Sequence, residues 1–392
     1  TEDRFRYDSA TQTTTREAHV NVGGSLTWVP YVDTYRGNVL VRQSFPTGEV
    51  MRYSYDARGN LTAIQDPNGF VQERVFSPAG DLVIQRTPIT STQTAVVQFG
   101  YDRAHRMVSK TDANGNVTAF GYRGADLISI QPPGNKNGAT TFSYARSVMV
   151  EERTPVGRKT FLPDAQGNIV RITEFGPSGP ALNGNGTRAA YTESGLQTSY
   201  TDPRGVSAAG ALDPAYTATW TYDGADTLLG TRSPVGVTMS LSYTDAGDLV
   251  GSSGPAGTTS YGWSESTLTR TTTAPGGVVT RELYDPSATL LAVTGASGGR
   301  TTYVNDALGR PVTTIDPSGR RSVTAYDALS NPVVVDDGSG SPIRQEFDSA
   351  NRLIRQVSGA DVTLLRYDLA GNLLRVQDAH GAVTERTYDT HG

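Results

Sequence analysis

The stretch YDARGNLTAIQDPNGF, residues 55–70, decides how the chain folds, because its features recur along most of the sequence. A turn segment beginning with Asp lies on each side of the short run LTAIQ, and both segments contain Gly in the same relative place. In such turns Asp accepts hydrogen bonds from nearby backbone, Pro presets φ, and Gly adopts positive φ. The run between them is typical of a strand. The stretch therefore predicts strand and tight turn in alternation.

Self-similarity at a fixed period identifies repeat architectures. With the aromatic residue of the motif as position zero, copies follow every 20 or 21 residues from residue 222 onwards, with Asn305 in that place in one copy. The aromatics expected at strand ends, where they would pack on one another, are Tyr55, Phe76, Tyr101, Tyr122, Tyr222, Tyr243, Trp263, Tyr284, Tyr326, Phe347, Tyr367 and Tyr388. The residues expected in turns are Asp66, Gly69, Asp112, Gly115, Asp202, Gly205, Gly236, Gly257, Gly298, Asp316, Gly319, Gly340, Asp378 and Gly381.

The repeat predicts an all-β fold of antiparallel hairpins of about 21 residues each, joined in one continuous array. Two strands per unit, about 4.8 Å apart, would give a ribbon on the order of 180 Å long. Open sheets rarely exceed about 10 strands without curling. We therefore expect a spiralling, curved β-sheet shell over residues 1–392. Loop insertions are expected near residues 86–97, 176–190 and 206–216, where the spacing is interrupted.

Composition limits the classes of function. The chain has 392 residues, no cysteine and a net charge of -5, which argues against a broad surface for nucleic acid or anionic membrane. No apolar run approaches the roughly 18 residues of a spanning helix, and no secretory signal is visible. The sequence begins with TEDRFRYD and stops inside a copy of the motif, so we expect it to be part of a longer protein.

The recurring segments YDARGNL with DPNG, NDALGRP with DPSG, and YDLAGNL with DAHG resemble the YD repeats of the Rhs family. Related repeats occur in teneurins and in the C component of insecticidal toxin complexes. The resemblance covers nearly the whole chain and is strongest from 222 to 392. It implies a β-sheet shell that encloses a toxic C-terminal domain, in a secreted or cell-surface bacterial protein. The implied partners are that toxin domain of the same polypeptide, the remaining Rhs core segments, and secretion spike proteins, as in type VI secretion, or chaperones.

Other chemistry is weakly supported by the sequence. The segment DANGN at 112–116 resembles the start of a calcium loop but lacks the further acidic ligands and the distal Glu. His19, His105, His380 and His391 show no paired ligand spacing and are expected to be exposed. Asp336 and Asp337 occupy a turn position, without the second loop of an aspartic dyad. We therefore expect no catalytic residue, metal or cofactor in the repeats, and we classify the chain as a non-enzyme.

Basic residues are almost all Arg, with Lys only at 110, 136 and 159, and many Arg lie beside strand aromatics. Arg stacks on aromatic rings and pairs with carboxylates, so we expect ladders between strands; inward-facing Arg contacting an enclosed domain is a second interpretation. Rows of Tyr with Asp and Asn could also stack on sugars. A cell-surface adhesion or carbohydrate-binding protein is therefore the alternative function.

Overall fold

The computed structural model describes residues 3–134, 138–176, 179, 181–182 and 184–388. Of the positions named above, Lys136, His391 and part of the segment 176–190 lie outside the described residues. Almost every described element is a strand, and all the strand pairs with a recorded register are antiparallel. The prediction of an all-β fold made of antiparallel hairpins is confirmed.

Two sheets contain the described strands, and in each sheet hydrogen-bonded neighbours follow chain order. The first sheet contains β1 (Asp3–Asp8), β2 (Thr13–Val22), β3 (Ser25–Arg36), β4 (Val39–Ser44), β5 (Val50–Tyr55), β6 (Leu61–Gln65), β7 (Val71–Phe76), β8 (Leu82–Pro88), β9 (Thr94–Tyr101), β10 (Met107–Thr111), β11 (Val117–Arg123), β12 (Asp126–Gln131), β13 (Thr140–Ala145), β14 (Val148–Thr154), β15 (Gly157–Pro163) and β16 (Ile169–Phe175).

The second sheet contains β17 (Arg188–Tyr191), β18 (Gln197–Thr201), β19 (Thr217–Tyr222), β20 (Leu228–Arg232), β21 (Thr238–Tyr243), β22 (Leu249–Gly254), β23 (Gly257–Ser264), β24 (Thr269–Ala274), β25 (Val278–Tyr284), β26 (Leu290–Thr294), β27 (Arg300–Asn305), β28 (Pro311–Ile315), β29 (Arg321–Tyr326), β30 (Pro332–Asp336), β31 (Ile343–Phe347), β32 (Leu353–Ser358), β33 (Asp361–Tyr367), β34 (Leu373–Gln377) and β35 (Val383–Glu385). Three 3-10 turns, at Pro203–Gly205, Pro214–Tyr216 and Pro275–Gly277, are the helical elements of the described chain. None of these turns has the length of a membrane-spanning helix.

The expected insertions have different structures. Residues 86–97 include the ends of β8 and β9 and the short connection between them. The first sheet ends at β16 and the second begins at β17, so the sheet changes within the segment 176–190. Residues 206–216 contain a 3-10 turn and an isolated bridge between Val206 and Leu212, and Val206 is buried. Residues 207–215 are exposed, so this insertion is a surface loop, as expected, and the 3-10 turn and the bridge give it local structure.

The chain divides into two compact units. Unit 1 comprises Thr1–Val117, Trp263–Arg270 and Thr280–Gly392, and unit 2 comprises Thr118–Gly262 and Thr271–Val279. Unit 1 therefore contains strands of both sheets. Its fully buried apolar cluster is small, consisting of Ala18, Val20 and Val29 with partly buried neighbours that include Ala307. Stability in this unit therefore relies on backbone pairing and specific polar contacts as well as on apolar burial.

A bulge lies at the end of the first strand of most hairpins, next to position zero. In the hairpin β5–β6, Ser54 is opposite Ala63 whereas Tyr55 is opposite Leu61, so one residue of β6 is left unpaired. The same shift occurs at Phe76, Tyr222, Tyr243, Tyr284, Asn305, Tyr326, Phe347 and Tyr367. Bulges bend a strand and increase its twist. The same local deformation therefore recurs in most of the repeats.

Candidate functional site: the row of turns and the contacts between repeats

Where Asp follows position zero, its carboxylate organises the turn. The Asp56 carboxylate accepts hydrogen bonds from the backbone N–H groups of Arg58 and Asn60, both at 2.9 Å, and from the Asn60 side chain. The Gly59 N–H donates to the Asp56 carbonyl at 3.1 Å, with φ of +86° at Gly59. Because an L side chain is strained at this φ, Gly fits here best. The recurring YD and Gly spacing therefore specifies a closed turn in which Asp binds the backbone.

The second turn of several repeats uses the same arrangement. Asp316 accepts from the N–H groups of Ser318 at 2.8 Å and Arg320 at 3.0 Å, and Gly319 has φ of +87°. Asp66, Asp112 and Asp378 likewise accept backbone N–H groups in their turns. Positive φ is found at Gly69, Gly115, Gly236, Gly257, Gly298, Gly340 and Gly381.

Gly205 differs from the other turn glycines. It belongs to the 3-10 turn that Asp202 caps through the Arg204 N–H, and its φ is not positive. A Cβ at Gly205 would lie 2.4 Å from the Tyr216 Cβ. The expectation of positive φ is wrong at this position, where Gly instead permits a close approach to the segment 206–216.

In several repeats, the residue at position zero forms a hydrogen bond to the repeat before it. The Tyr243 hydroxyl donates to the Leu228 carbonyl at 2.9 Å, and the Tyr326 hydroxyl donates to the Pro311 carbonyl at 3.2 Å. In both cases the acceptor is the backbone carbonyl of the residue six places after position zero of the preceding repeat. Tyr191, Tyr222 and Tyr388 make the equivalent bonds to Ile169, Gln197 and Leu373.

Asn305 preserves this link without an aromatic ring. Its side-chain amide donates to the Leu290 carbonyl at 3.0 Å, which is the same acceptor position, and the residue is 2% exposed. The function shared by Tyr and Asn at position zero is therefore a hydrogen bond to the neighbouring repeat. The expected ring-on-ring packing occurs between Trp263 and Tyr284, whose ring centroids are 5.8 Å apart.

Arg five places after position zero adds a second link. Arg310 pairs with Asp306 in its own turn, at 2.6 Å, while its guanidinium lies 4.8 Å from the ring centroid of Tyr326 in the next repeat. Arg352 does the same with Asp348, at 2.7 Å, and Tyr367, at 4.8 Å. A cation over an aromatic face contributes about 0.5–1 kcal/mol or more when partly desolvated.

Other ion pairs follow the expected ladder between strands. Lys159 pairs with Glu174 at 3.0 Å, and these residues are directly opposite in register. Arg86 and Glu73 are also opposite each other, with 3.6 Å between their charged groups. The arginines thus form ion pairs between neighbouring strands and also pair with Asp in the turns. Only the pairs between strands follow from the alternation of side chains along a strand.

An inter-sheet seam lies within unit 1, where turns of the second sheet contact the first sheet. The Asn21 N–H donates to the Asp285 carboxylate at 2.8 Å, and the Ser287 hydroxyl donates to the His19 carbonyl at 3.0 Å. Asp285 is 2% exposed and also accepts two backbone N–H groups of its own turn. This carboxylate therefore closes a turn and joins the two sheets.

The seam continues along the chain in a regular order. Its later contacts join Tyr31 to the Ala307 carbonyl at 3.4 Å, Ser349 to the Pro88 carbonyl at 2.7 Å, and Asn114 to the Asp368 carboxylate at 2.8 Å. Residue numbers on both sides increase together. Successive turns of the second sheet are therefore placed along successive hairpins of the first, and a cavity of about 350 Å³ lies beside Asn114 and Asp368.

Hydrogen bonding shifts the acidity of the turn aspartates. The side-chain hydrogen bond from Arg106 holds the pKa of Asp102 below its usual value, and the side chain of Asn60 does the same for the pKa of Asp56. The pKa of Asp337 is also lowered, chiefly by its hydrogen bonds with Ser339. The Asp337 carboxylate also pairs with the Arg320 guanidinium of the neighbouring turn at 2.9 Å, so its observed contacts are those of a turn residue.

The candidate ligand residues are used within their turns. Asp112 accepts two backbone N–H groups and the Asn116 amide, and no metal-binding cluster of acidic or histidine side chains occurs among the described residues. His105 is exposed and hydrogen-bonds to Asp81 at 3.0 Å, and His380 is exposed. The expectation of exposure is wrong for His19, whose partly buried ring stacks on Trp28 at 4.5 Å.

Comparison with known proteins finds one family model that matches part of this chain. The family model described as the RHS repeat matches residues 35–71, which include the hairpin β5–β6 and its Asp56 turn. This segment is an RHS repeat. The resemblance stated from the sequence is therefore confirmed. A comparison with the curated proteins gives no significant match.

Solved structures share the fold of this chain. The crystal structure of TcdB2-TccC3 is 13% identical, with a TM-score of 0.58, and the match covers 95% of this chain and 26% of that one. The Photorhabdus luminescens Tc holotoxin pore gives 13% identity, a TM-score of 0.56, and coverage of 97% and 26%. TcdB2-TccC3 without its hypervariable C-terminal region is 11% identical, with a TM-score of 0.57, and the match covers 93% of this chain and 22% of that one. The chain thus spans about a quarter of the length of these solved chains.

Two features were missed by reasoning from the sequence. One is the hydrogen bond from position zero to the preceding repeat, and the other is the Arg that contacts the next ring. Both had a detectable signal. Asn305 at an aromatic position indicates that a polar group matters there, and Arg310 and Arg352 each lie five residues after position zero.

Proposed function

We propose that the chain is a wall segment of a toxin-associated RHS shell, which encloses an effector domain of the same polypeptide. The observation that carries this proposal is the hydrogen bond from position zero to the preceding repeat, made by Tyr and, at residue 305, by Asn. It couples neighbouring repeats in a fixed register over long sheets. Such coupling suits a wall, because each unit supports the next.

The seam within unit 1 supports the same function. A wall that contains two sheets needs contacts that hold one sheet to the other. Asp285 and Ser349 join turns of one sheet to the backbone of the other. Structures with this fold include TcdB2-TccC3, which also exists without a hypervariable C-terminal region. By this proposal, the part of the protein that varies is the enclosed cargo, and the repeats themselves perform no catalysis.

The proposal extends to partners and location. The partners are the effector domain, the remaining RHS segments, and a delivery component such as a secretion spike protein or a chaperone. The protein acts outside the producing cell or at its surface. Type VI secretion is one route by which such a protein could be delivered.

The test is limited proteolysis of the full-length gene product. The effector domain should resist protease while the repeats are intact. It should become cleavable when the seam is weakened by Asp285→Ala with Ser349→Ala. Asp245→Ala is the matched control, because Asp245 is exposed. Equal digestion of the effector domain in all three proteins would contradict the shell. Saturable binding of the isolated chain to glycans would instead favour adhesion.

A further inference from the structure

Two arginines of unit 2 lie together on β16 and the segment that follows it. Arg171 is in β16, and Arg188 begins β17. The segment before Arg188 is fastened to β16, because the Thr187 N–H donates to the Ile172 carbonyl at 2.9 Å and the Thr187 hydroxyl accepts the Ile172 N–H at 3.1 Å. These bonds hold Arg188 beside Arg171. The backbone therefore forces two like charges together.

Gly186 shows how closely this segment approaches β16. A Cβ at Gly186 would lie 2.4 Å from the Ile172 carbonyl oxygen, and its φ is +73°. Thr187 is buried, and the Arg188 guanidinium donates to the Asn185 and Thr187 carbonyls at 2.7 and 2.8 Å. The position of Arg188 is therefore fixed by main-chain contacts.

One nitrogen of the partly buried Arg171 side chain lacks an acceptor. Its Nε atom is buried and has no hydrogen-bond partner in the part of the chain that the structure describes. Burial of a charged group without a partner is costly. The neighbouring charge adds to this cost, since burial and then the positive charge of Arg171 lower the pKa of Arg188.

Nearby carboxylates already have partners. Glu151 pairs with Arg153 at 3.1 Å and Arg158 at 3.2 Å, and Glu174 pairs with Lys159 at 3.0 Å. The sequence from 175 to 188 contains no acidic residue. The positive charge of Arg171 and Arg188 thus has no counter-charge among these neighbours.

A cavity of about 300 Å³ lies next to Arg171. Its lining also includes Thr160, Thr173 and Phe175. Thr160 and Thr173 are directly opposite each other in the pairing of β15 with β16, so their side chains share one face with Arg171. Hydroxyl groups and a guanidinium are the donors that bind oxyanions in proteins.

We propose that this cavity binds a small oxyanion, a phosphate or carboxylate group, through Arg171 with the support of Arg188 and the two threonine hydroxyls. The anion supplies the counter-charge that the two arginines lack and the acceptor that the Arg171 Nε lacks. Free anions and the side chains of an enclosed polypeptide are two possible sources of this group. The site is independent of the proposed shell function.

The experiment measures unfolding of the whole chain at constant ionic strength and pH 7, with chloride replaced stepwise by inorganic phosphate or by acetate. The unfolding midpoint should rise with phosphate, acetate or both, and the rise should saturate. Arg171→Gln should weaken the apparent affinity at least tenfold. Arg204→Gln removes an exposed charge from the same unit and should leave the affinity unchanged.

Arg171→Gln should also be at least as stable as the parent without added anion, because it removes a partly buried charge whose buried Nε atom has no hydrogen-bond partner. If this variant does not fold, calorimetric titration of the parent with phosphate and acetate still decides the question, since one site per chain is expected. A parent that shows no saturable effect with either anion would overturn the proposal. An equal effect in Arg171→Gln would also overturn it.

Discussion

Gly319 offers the sharpest test of the turn assignment. It closes the turn between β28 and β29, where its N–H donates to the Asp316 carbonyl at 2.9 Å and its φ is +87°. A Cβ built at this position would meet no atom within 4 Å. Substitution by Ala therefore introduces backbone strain but no steric clash with neighbouring residues.

The magnitude follows from two opposing effects. An L residue in the left-handed region costs about 1–2 kcal/mol. Ala also restricts the unfolded chain relative to Gly, which stabilises the fold by about 0.4–1 kcal/mol. Gly319→Ala should thus lower the free energy of unfolding by at most about 1.6 kcal/mol, and by roughly 0.8 kcal/mol at the middle of both ranges. Gly319→Val should cost more, because β-branched residues are strongly disfavoured at positive φ.

Gly295 is the matched control because it begins the equivalent turn of the preceding repeat in the same unit. Its φ is not positive, and a Cβ would meet only the Gly299 carbonyl oxygen at 3.8 Å. Gly295→Ala should raise stability by about 0.4–1 kcal/mol. Urea unfolding followed by circular dichroism gives both midpoints. If the two Ala variants shift the midpoint equally, the strained turn at Gly319 is refuted.

Three further outcomes follow from the contacts between repeats. Tyr243→Phe should lower the free energy of unfolding by about 0.5–1.5 kcal/mol, because it removes the hydrogen bond to the Leu228 carbonyl. Urea unfolding measures this change, and an unchanged free energy would mean that the bond does not stabilise the fold. Asp285→Ala should cost about 1–3 kcal/mol because it leaves three partly buried N–H groups without their acceptor, whereas exposed Asp245→Ala should change stability by less than about 0.5 kcal/mol. Acid should also destabilise the fold, because the pKa of Asp102 is lower in the folded state than in the unfolded state. The stability that Asp102 contributes is present above its unfolded pKa and is lost as the pH falls through its folded pKa. Asp102→Asn should flatten that part of a pH–stability profile, and an unchanged profile would argue against the lowered pKa.

Much of the local fold was readable from the sequence because its causes are local. The strand LTAIQ is β6 with the predicted bounds, and LLRVQ is β34. The turn at Asp316 follows from Asp, Pro and Gly within four residues. Such turn chemistry does not depend on distant contacts, so it appears directly in the repeat.

Contacts between distant residues were not readable in this way. The bond from Asn21 to Asp285 joins residues 264 positions apart, and no local pattern specifies it. His19 lies on a strand facing Trp28, so its burial depends on the register of β2 with β3. Gly205 lies at the glycine position of the repeat for a different reason. Close packing against Tyr216, and not a positive φ, requires Gly there.

The bulge at position zero restricts how such a protein can change in length. Because side chains alternate between faces, adding or deleting a single residue within a strand would turn every later side chain of that strand to the opposite face. Duplication of a whole repeat copies the bulge, both turns and the position-zero side chain that donates to the preceding repeat. Growth during evolution is therefore expected in complete repeats, so that lengths change in steps of about 21 residues.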